Sequence, residues 1–259
     1  MAEIVIVPSP ADAGALVADE IVRLIAERPD TVLGLATGST PLPVYEALRS
    51  RVEGLDVSRV RGFALDEYVG IDPNHPESYR SVITREVVEP LGLNPDLIHT
   101  PNGALETISH AGEDYERAIA EAGGIDLQIL GIGTSGHIGF NEPGSSFASR
   151  TRVKTLIEQT RKDNARFFDR VEDVPMHCIT QGLGTILGAK HLVLLAFGEG
   201  KAAAVAGAVE GPVTSSLPGS AIQLPPHVTV VVDEAAASQL AHADYYRYVA
   251  ANKPAWQGL

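Results

Sequence analysis

With 259 residues, 44% of them hydrophobic, the chain is long enough to bury a full core. A formal charge of −13 with no Lys/Arg cluster to relieve it excludes nucleic acid and acidic lipid as bulk partners. No apolar run approaches membrane-spanning length and no basic-then-apolar leader is seen, so neither membrane insertion nor export is expected, and the cytoplasm is the expected compartment.

In chain order, short β-rich apolar runs alternate with amphipathic helical stretches. This pattern predicts an α/β fold: a single-domain, Rossmann-like parallel sheet sandwiched by helices on both faces. A strand at 3–7 leads to a helix from about 11 to 28 that Pro29 stops, and a second strand follows at 31–36. TGSTP (37–41) comes next, between a buried strand and a helix that starts with proline. Such a turn aims free backbone N–H groups and the hydroxyls of Thr37, Ser39 and Thr40, around Gly38, at an anion. A phosphate cradle and an ordinary capped helix start are both open at this point.

The strand at 60–65 runs into DEYVG (66–70). Two adjacent acids, Asp66 and Glu67, close a buried strand where packing alone would not select them. A partly desolvated carboxylate at a strand's end can take a proton from carbon next to a carbonyl. Neighbouring side chains on a strand point to opposite sides, so only one of the two is expected to face a pocket, and a helix cap is the plain alternative.

After the strand at 125–131 comes GTSGHIGFNEP (133–143). The string GIGTSG (131–136) matches the dinucleotide fingerprint GxGxxG, but HIGFNEP follows it where a clean helix should, and the unit lies mid-chain. Ser135 invites a serine-hydrolase reading, yet GTSGH has histidine where the nucleophile elbow needs its second glycine. His137 and Glu142 are stronger candidates, since an imidazole and a carboxylate on one glycine-lined loop can form a proton-transfer pair. Neither belongs to a spaced ligand set, so no metal is expected. The single cysteine, Cys178, can form no internal disulfide and no cysteine metal cage and reads as a small buried hydrophobe.

The strand at 191–197 leads to GEGK (198–201) and an alanine-rich helix at 201–209, and the last strand is at 228–232. Lys201 would sit in a first helical turn, against the dipole, unless an anion is near. With TGSTP it forms a candidate two-part phosphate site, although the GxxxxGK[ST] spacing of a nucleotide loop is missing. In open parallel sheets ligands bind beyond the carboxyl ends of the strands, so all four polar clusters should converge on one edge.

Taken in order, ATGSTP (36–41), LDEYVG (65–70), HPESY (75–79), GIGTSGHIGFNEP (131–143), SRTRVKTL (149–156), TRKDNARFFD (160–169) and GEGKAAAVAGAVEG (198–211) closely resemble glucosamine-6-phosphate deaminases over nearly the whole chain. The wider superfamily includes 6-phosphogluconolactonases and ribose-phosphate isomerases, but DEYVG with HPESY and GHIGFNEP look like the deaminase branch. The resemblance implies a Rossmann-like fold and the cofactor-free conversion of D-glucosamine 6-phosphate and water to D-fructose 6-phosphate and ammonia.

It further implies that Asp66 moves a proton between C2 and C1 of the open-chain sugar, that His137 is the ring-opening acid/base, and that Glu142 orients and polarises it. Phosphate would fall to Thr37, Gly38, Ser39, Thr40, Arg166 and Lys201. Ser135 departs from the pattern: many members have aspartate there and others asparagine. A hydroxyl can bond an imidazole but cannot stabilise imidazolium as a charge does. Arg152, Lys154 and Thr155 match positions that bind N-acetylglucosamine 6-phosphate as an allosteric activator in some relatives, which implies a second anion site between subunits of a homo-oligomer. Two rival readings share the phosphate loops: a related enzyme such as a 6-phosphogluconolactonase, which needs no C2 base, and a sugar-phosphate sensor with impaired catalysis.

Overall fold

The computed structural model describes residues 2–165, 168, 170–254 and 257–259. The chain opens with β1 (Glu3–Val7) and α1 (Pro10–Glu27), the latter capped by the Ser9 hydroxyl, which accepts from the Asp12 N–H at 3.2 Å. Pro10 stands in the first helical position, where its missing N–H costs nothing, so the helix starts one residue earlier than its periodicity predicts. β2 (Val32–Leu35), α2 (Leu42–Arg51) and β3 (Arg61–Ala64) follow, then the short β4 (Asp66–Tyr68). Next, α3 (Tyr79–Ile83) runs through a π-helical turn at Thr84–Val88 into α4 (Glu89–Leu91). The middle of the chain holds β5 (Ile98–His99), α5 (Ile108–Glu121), β6 (Leu127–Gly131), β7 (Arg152–Thr155) and α6 (Glu158–Asn164). It closes with β8 (His177–Thr180), α7 (Leu183–Ile186), β9 (His191–Ala196), α8 (Ala202–Val209), β10 (Val228–Asp233) and α9 (Ala243–Ala251).

Seven strands form one parallel sheet in the order β1-β10-β9-β6-β2-β3-β5. Every residue of β2 and β9 is buried, as expected of strands covered by helices on both faces, and the main core spans this sheet and its helices. From β2 the chain proceeds to β3 on one side, whereas β6 leads on to β9 on the other. The order therefore reverses between β2 and β6, and their carboxyl ends flank the crevice where open α/β sheets bind ligands.

A second sheet, antiparallel β4-β8-β7, lies outside the predicted pattern. Its strands are three or four residues long and mostly polar, too short for a period-two signal. The sheet corrects the placement of the paired acids: β3 ends at Ala64, and Asp66 and Glu67 open β4. A small core of Tyr68, Phe140, Leu156, Val174 and Cys178 packs against it, so Cys178 is the buried hydrophobe its isolation suggested.

Candidate active site

The loops that follow β2, β3, β6 and β9 meet in one cleft of two adjoining chambers, about 340 and 170 Å³ in volume. Thr37, Tyr79, Gly133, His137, Phe140 and Lys201 border both. Gly38 and Ser39 line the outer chamber, Thr40 and Asp66 the inner one. Arg166 lies outside the described residues.

The turn after β2 needs Gly38, whose φ of +86° is open to glycine and strained for other residues. Pro41 occupies the cap position and not the first helical position, so α2 begins with no side-chain cap and no acid in its first turn, leaving that end electropositive. Lys201 ends a 3₁₀ turn (Glu199–Lys201) at the start of α8. This loop is fastened from β10, whose Asp233 carboxylate accepts from the Gly198 N–H at 3.0 Å through both oxygens. An anion placed between Lys201 and the loop of Thr37, Gly38, Ser39 and Thr40 meets a cation, hydroxyls and a helix start together.

Asp66 is only 6% exposed, and its Oδ2 accepts from the Thr180 hydroxyl at 3.4 Å. Burial, and after it the neighbouring Glu67 charge, push its carboxyl up to about 8, against the smaller opposing effects of Thr180 and the Phe140 N–H. A carboxylate so desolvated is a strong base. Glu67 points away from the inner chamber and lines a different hollow beside Tyr68 and Arg80, as strand alternation requires.

His137 is 21% exposed, and its ring lies directly against Gly133, where a Cβ would come within 2.4 Å of three ring atoms. Only glycine admits that approach. The Nδ1 atom is 2.9 Å from the Ser135 Oγ and 3.4 Å from the Glu142 Oε2, and the Ser135 hydroxyl also lies 3.3 Å from that oxygen. With Nδ1 turned to these partners, Nε2 is left for the cleft. The other Glu142 oxygen accepts from the buried Thr160 hydroxyl at 2.5 Å. Burial alone would raise the Glu142 pKa, but the bonds from His137 and Thr160 outweigh it and hold the carboxyl below its ordinary value.

Arg152, Lys154 and Thr155 all lie on β7, the edge strand of the small sheet, and none of them lines the cleft. Alternation puts Arg152 and Lys154 on one face, whereas Thr155 faces the other way and pairs with His177 Nδ1 at 3.2 Å. Among the described residues no group of three or more His, Cys, Asp or Glu side chains converges on a common point. Reasoning from the isolated motifs did not single out Tyr79, Thr160, Asn164 or Asp233. Of these, only Asp233 carried a signal, an acid closing a buried strand at the edge where the other polar clusters gather.

Residues 10–232 match the family described as glucosamine-6-phosphate isomerases/6-phosphogluconolactonase. The glucosamine-6-phosphate deaminase of Streptomyces avermitilis is 61% identical over 260 residues, covering 99% of this chain and 100% of the relative. Among solved structures, a monomeric glucosamine-6-phosphate deaminase superposes with a TM-score of 0.89 at 38% identity, over 92% of this chain and 99% of that one. A 6-phosphogluconolactonase from Trypanosoma cruzi shares the fold at 20% identity, with a TM-score of 0.75 over 93% of this chain and 97% of that one.

Proposed function

This chain belongs to the glucosamine-6-phosphate isomerase/6-phosphogluconolactonase family, and from that premise we propose that it converts D-glucosamine 6-phosphate and water to D-fructose 6-phosphate and ammonia. The observation that carries the choice within the family is Asp66: a buried carboxylate of raised pKa in the same chamber as His137 is what a proton shuttle between two carbons needs, and lactone hydrolysis does not. The relatives near 60% identity that bear the deaminase name support the same choice.

In this reading the phosphate sits between Lys201 and the loop of Thr37, Gly38, Ser39 and Thr40, with Arg166 as a further cation. Binding there, remote from C1 and C2, supplies orientation. Nε2 of His137 takes the C1 hydroxyl proton and returns it to the ring oxygen, opening the pyranose. Glu142 and Ser135 hold the imidazole, and the Glu142 carboxylate balances the charge it gains. Asp66 removes the C2 proton, made acidic by the adjacent aldehyde, and the enolamine is reprotonated at C1. Water adds to the resulting C2 imine and ammonia leaves. These steps call on side chains and water alone.

The test is ammonia release coupled to fructose 6-phosphate formation from glucosamine 6-phosphate, beside hydrolysis of 6-phosphogluconolactone. Lactone hydrolysis without ammonia release overturns the assignment in favour of a lactonase, and tight binding without either product favours a sensor. Two finer points belong to the same proposal. Arg152, Lys154 and Thr155 would form an effector site for N-acetylglucosamine 6-phosphate in a homo-oligomer, checked by activation kinetics and solution mass. The working compartment would be the cytoplasm; no helix among the described residues is long and apolar enough to cross a membrane.

A further inference from the structure

The outer chamber owes one wall to α3, the segment leading into it and the turn that continues it: Glu77, Tyr79, Val82, Arg85 and Glu86 all line it. This wall is attached to the rest of the molecule at its N-terminal end in an unusual way. A helix leaves its first four N–H groups without intrahelical acceptors. Here the N–H of Ser78, the cap, donates to the His75 carbonyl at 2.9 Å, and the Ser81 N–H donates to the Ser78 hydroxyl at 3.1 Å. The other two go to one side chain twelve residues upstream: the Tyr79 N–H donates to Glu67 Oε1 at 3.0 Å and the Arg80 N–H to Oε2 at 2.9 Å. Glu67 Oε1 also accepts from the Tyr68 N–H at 2.8 Å, and the residue is 5% exposed.

We propose that Glu67 is a positioning residue that clasps the start of α3 and so sets the place of Tyr79 and the outer wall relative to Asp66. The two acids of β4 divide the work by strand alternation, Asp66 toward the reacting carbons and Glu67 toward the wall. Because they are adjacent on a three-residue strand, the wall is registered to the base through a single peptide unit. Tyr79 is the residue most affected. It borders both chambers together with Thr37 of the phosphate loop, its ring stacks on Phe140 at 6.1 Å, and its hydroxyl donates to that of Tyr68 at 3.4 Å. Two buried carboxylates side by side are costly for packing alone, and the three N–H donors explain how the second is tolerated. Burial raises the Glu67 pKa and those donors oppose it. The ionisable groups facing the pair are Tyr68 on the same strand, Tyr79 and Arg80 from α3, Tyr115 from α5, Cys178 from β8 and, across the inner chamber from Asp66, His137 and Lys201.

The kinetic arm of the test rests on the reading of Asp66 as the base; the exchange arm does not. In the unaltered protein, amide hydrogen exchange at Tyr79 and Arg80 should be at least about tenfold slower than for first-turn amides without acceptors. Exchange at the free rate overturns the proposal without any variant. Glu67→Asp keeps the charge beside Asp66 and shortens the reach. It should speed exchange at both amides and raise KM for glucosamine 6-phosphate by about tenfold, the worth of a charge-assisted bond, with the acid limb of the rate profile unmoved. Glu67→Gln keeps the length and removes the charge, and should move that limb down by about one pH unit. Parent-like exchange and KM in Glu67→Asp, or an unmoved limb in Glu67→Gln, overturn the proposal. An unaltered protein that releases no ammonia sinks the functional reading, while the exchange data still decide the role of Glu67.

Discussion

Replacing Asp66 with asparagine should abolish turnover and at the same time stabilise the protein, and the pH at which the stabilisation appears is the informative part. The Asp66 carboxyl, ordinarily titrating at 3.8, is pushed up to about 8 by burial and then by the Glu67 charge. Below pH 4 it is protonated whether the chain is folded or not and contributes no difference. As pH rises from about 4 to about 8 the unfolded chain releases this proton and the folded one does not, so stability falls, and the loss levels off above 8. At about 1.4 kcal/mol for each tenfold change in proton affinity, the ceiling on this cost is about 6 kcal/mol. The amide recovers part of it, since its NH₂ must find acceptors in a site built around an acceptor, and a gain of about 2–3 kcal/mol is expected. For a chain of this size that corresponds to a rise in Tm of roughly 5–10 °C. Thermal unfolding of both proteins at pH 5 and pH 8.5 checks the sign: the gap between them should widen at the higher pH. In the unaltered enzyme kcat/KM should rise toward a limb near 8, because that ratio reports the free enzyme's ionisations. A gap that is equal or narrower at pH 8.5 refutes the raised pKa, and a variant retaining a tenth or more of the turnover refutes Asp66 as the base.

Lys201→Ala should weaken binding of phosphorylated sugar by about ten- to a hundredfold with a smaller change in kcat, the loss of one charge-assisted contact; titration with fructose 6-phosphate measures it, and unchanged affinity removes Lys201 from the phosphate site. Thr160→Val keeps the shape of a buried side chain but deletes the hydroxyl that donates to Glu142, and should lower kcat by about tenfold with little change in KM. A change of less than twofold would leave Thr160 a packing residue. Ser135→Asp places a second carboxylate against His137 Nδ1, where the hydroxyl now lies, and should carry the alkaline limb of kcat to higher pH by about one unit by stabilising the imidazolium. An unmoved limb in a folded, binding-competent variant returns Ser135 to the status of a loop residue.

The large sheet was legible except for the two-residue β5, because its other six strands are long enough to declare themselves. The runs at 3–7, 191–197 and 228–232 coincide with strands to within one residue, and the helix at 11–28 is displaced by one because of Pro10. The small sheet was not. β4, β7 and β8 owe their pairing to one another and not to local propensity, so Asp66 and Glu67 read as the end of β3 when they are the start of β4.

A similar division runs through the site. Asp66, His137, Thr37 and Lys201 could be singled out because their residue types are poor choices for packing where they stand, at the carboxyl ends of buried strands. Thr160 and Asn164 have no such mark. A threonine or an asparagine in a polar helix is unremarkable in sequence, and the hydroxyl matters only because folding brings it within 2.5 Å of Glu142, eighteen residues away. Glu67 stands between the two cases. Strand alternation predicts that it turns away from the inner chamber, but nothing local says that the N–H groups of Tyr79 and Arg80 wait on the other side. Groups that act on a ligand carry their chemistry in their own side chains. Groups that hold them in place carry it in a partner distant along the chain, and they become readable only when the fold supplies that partner.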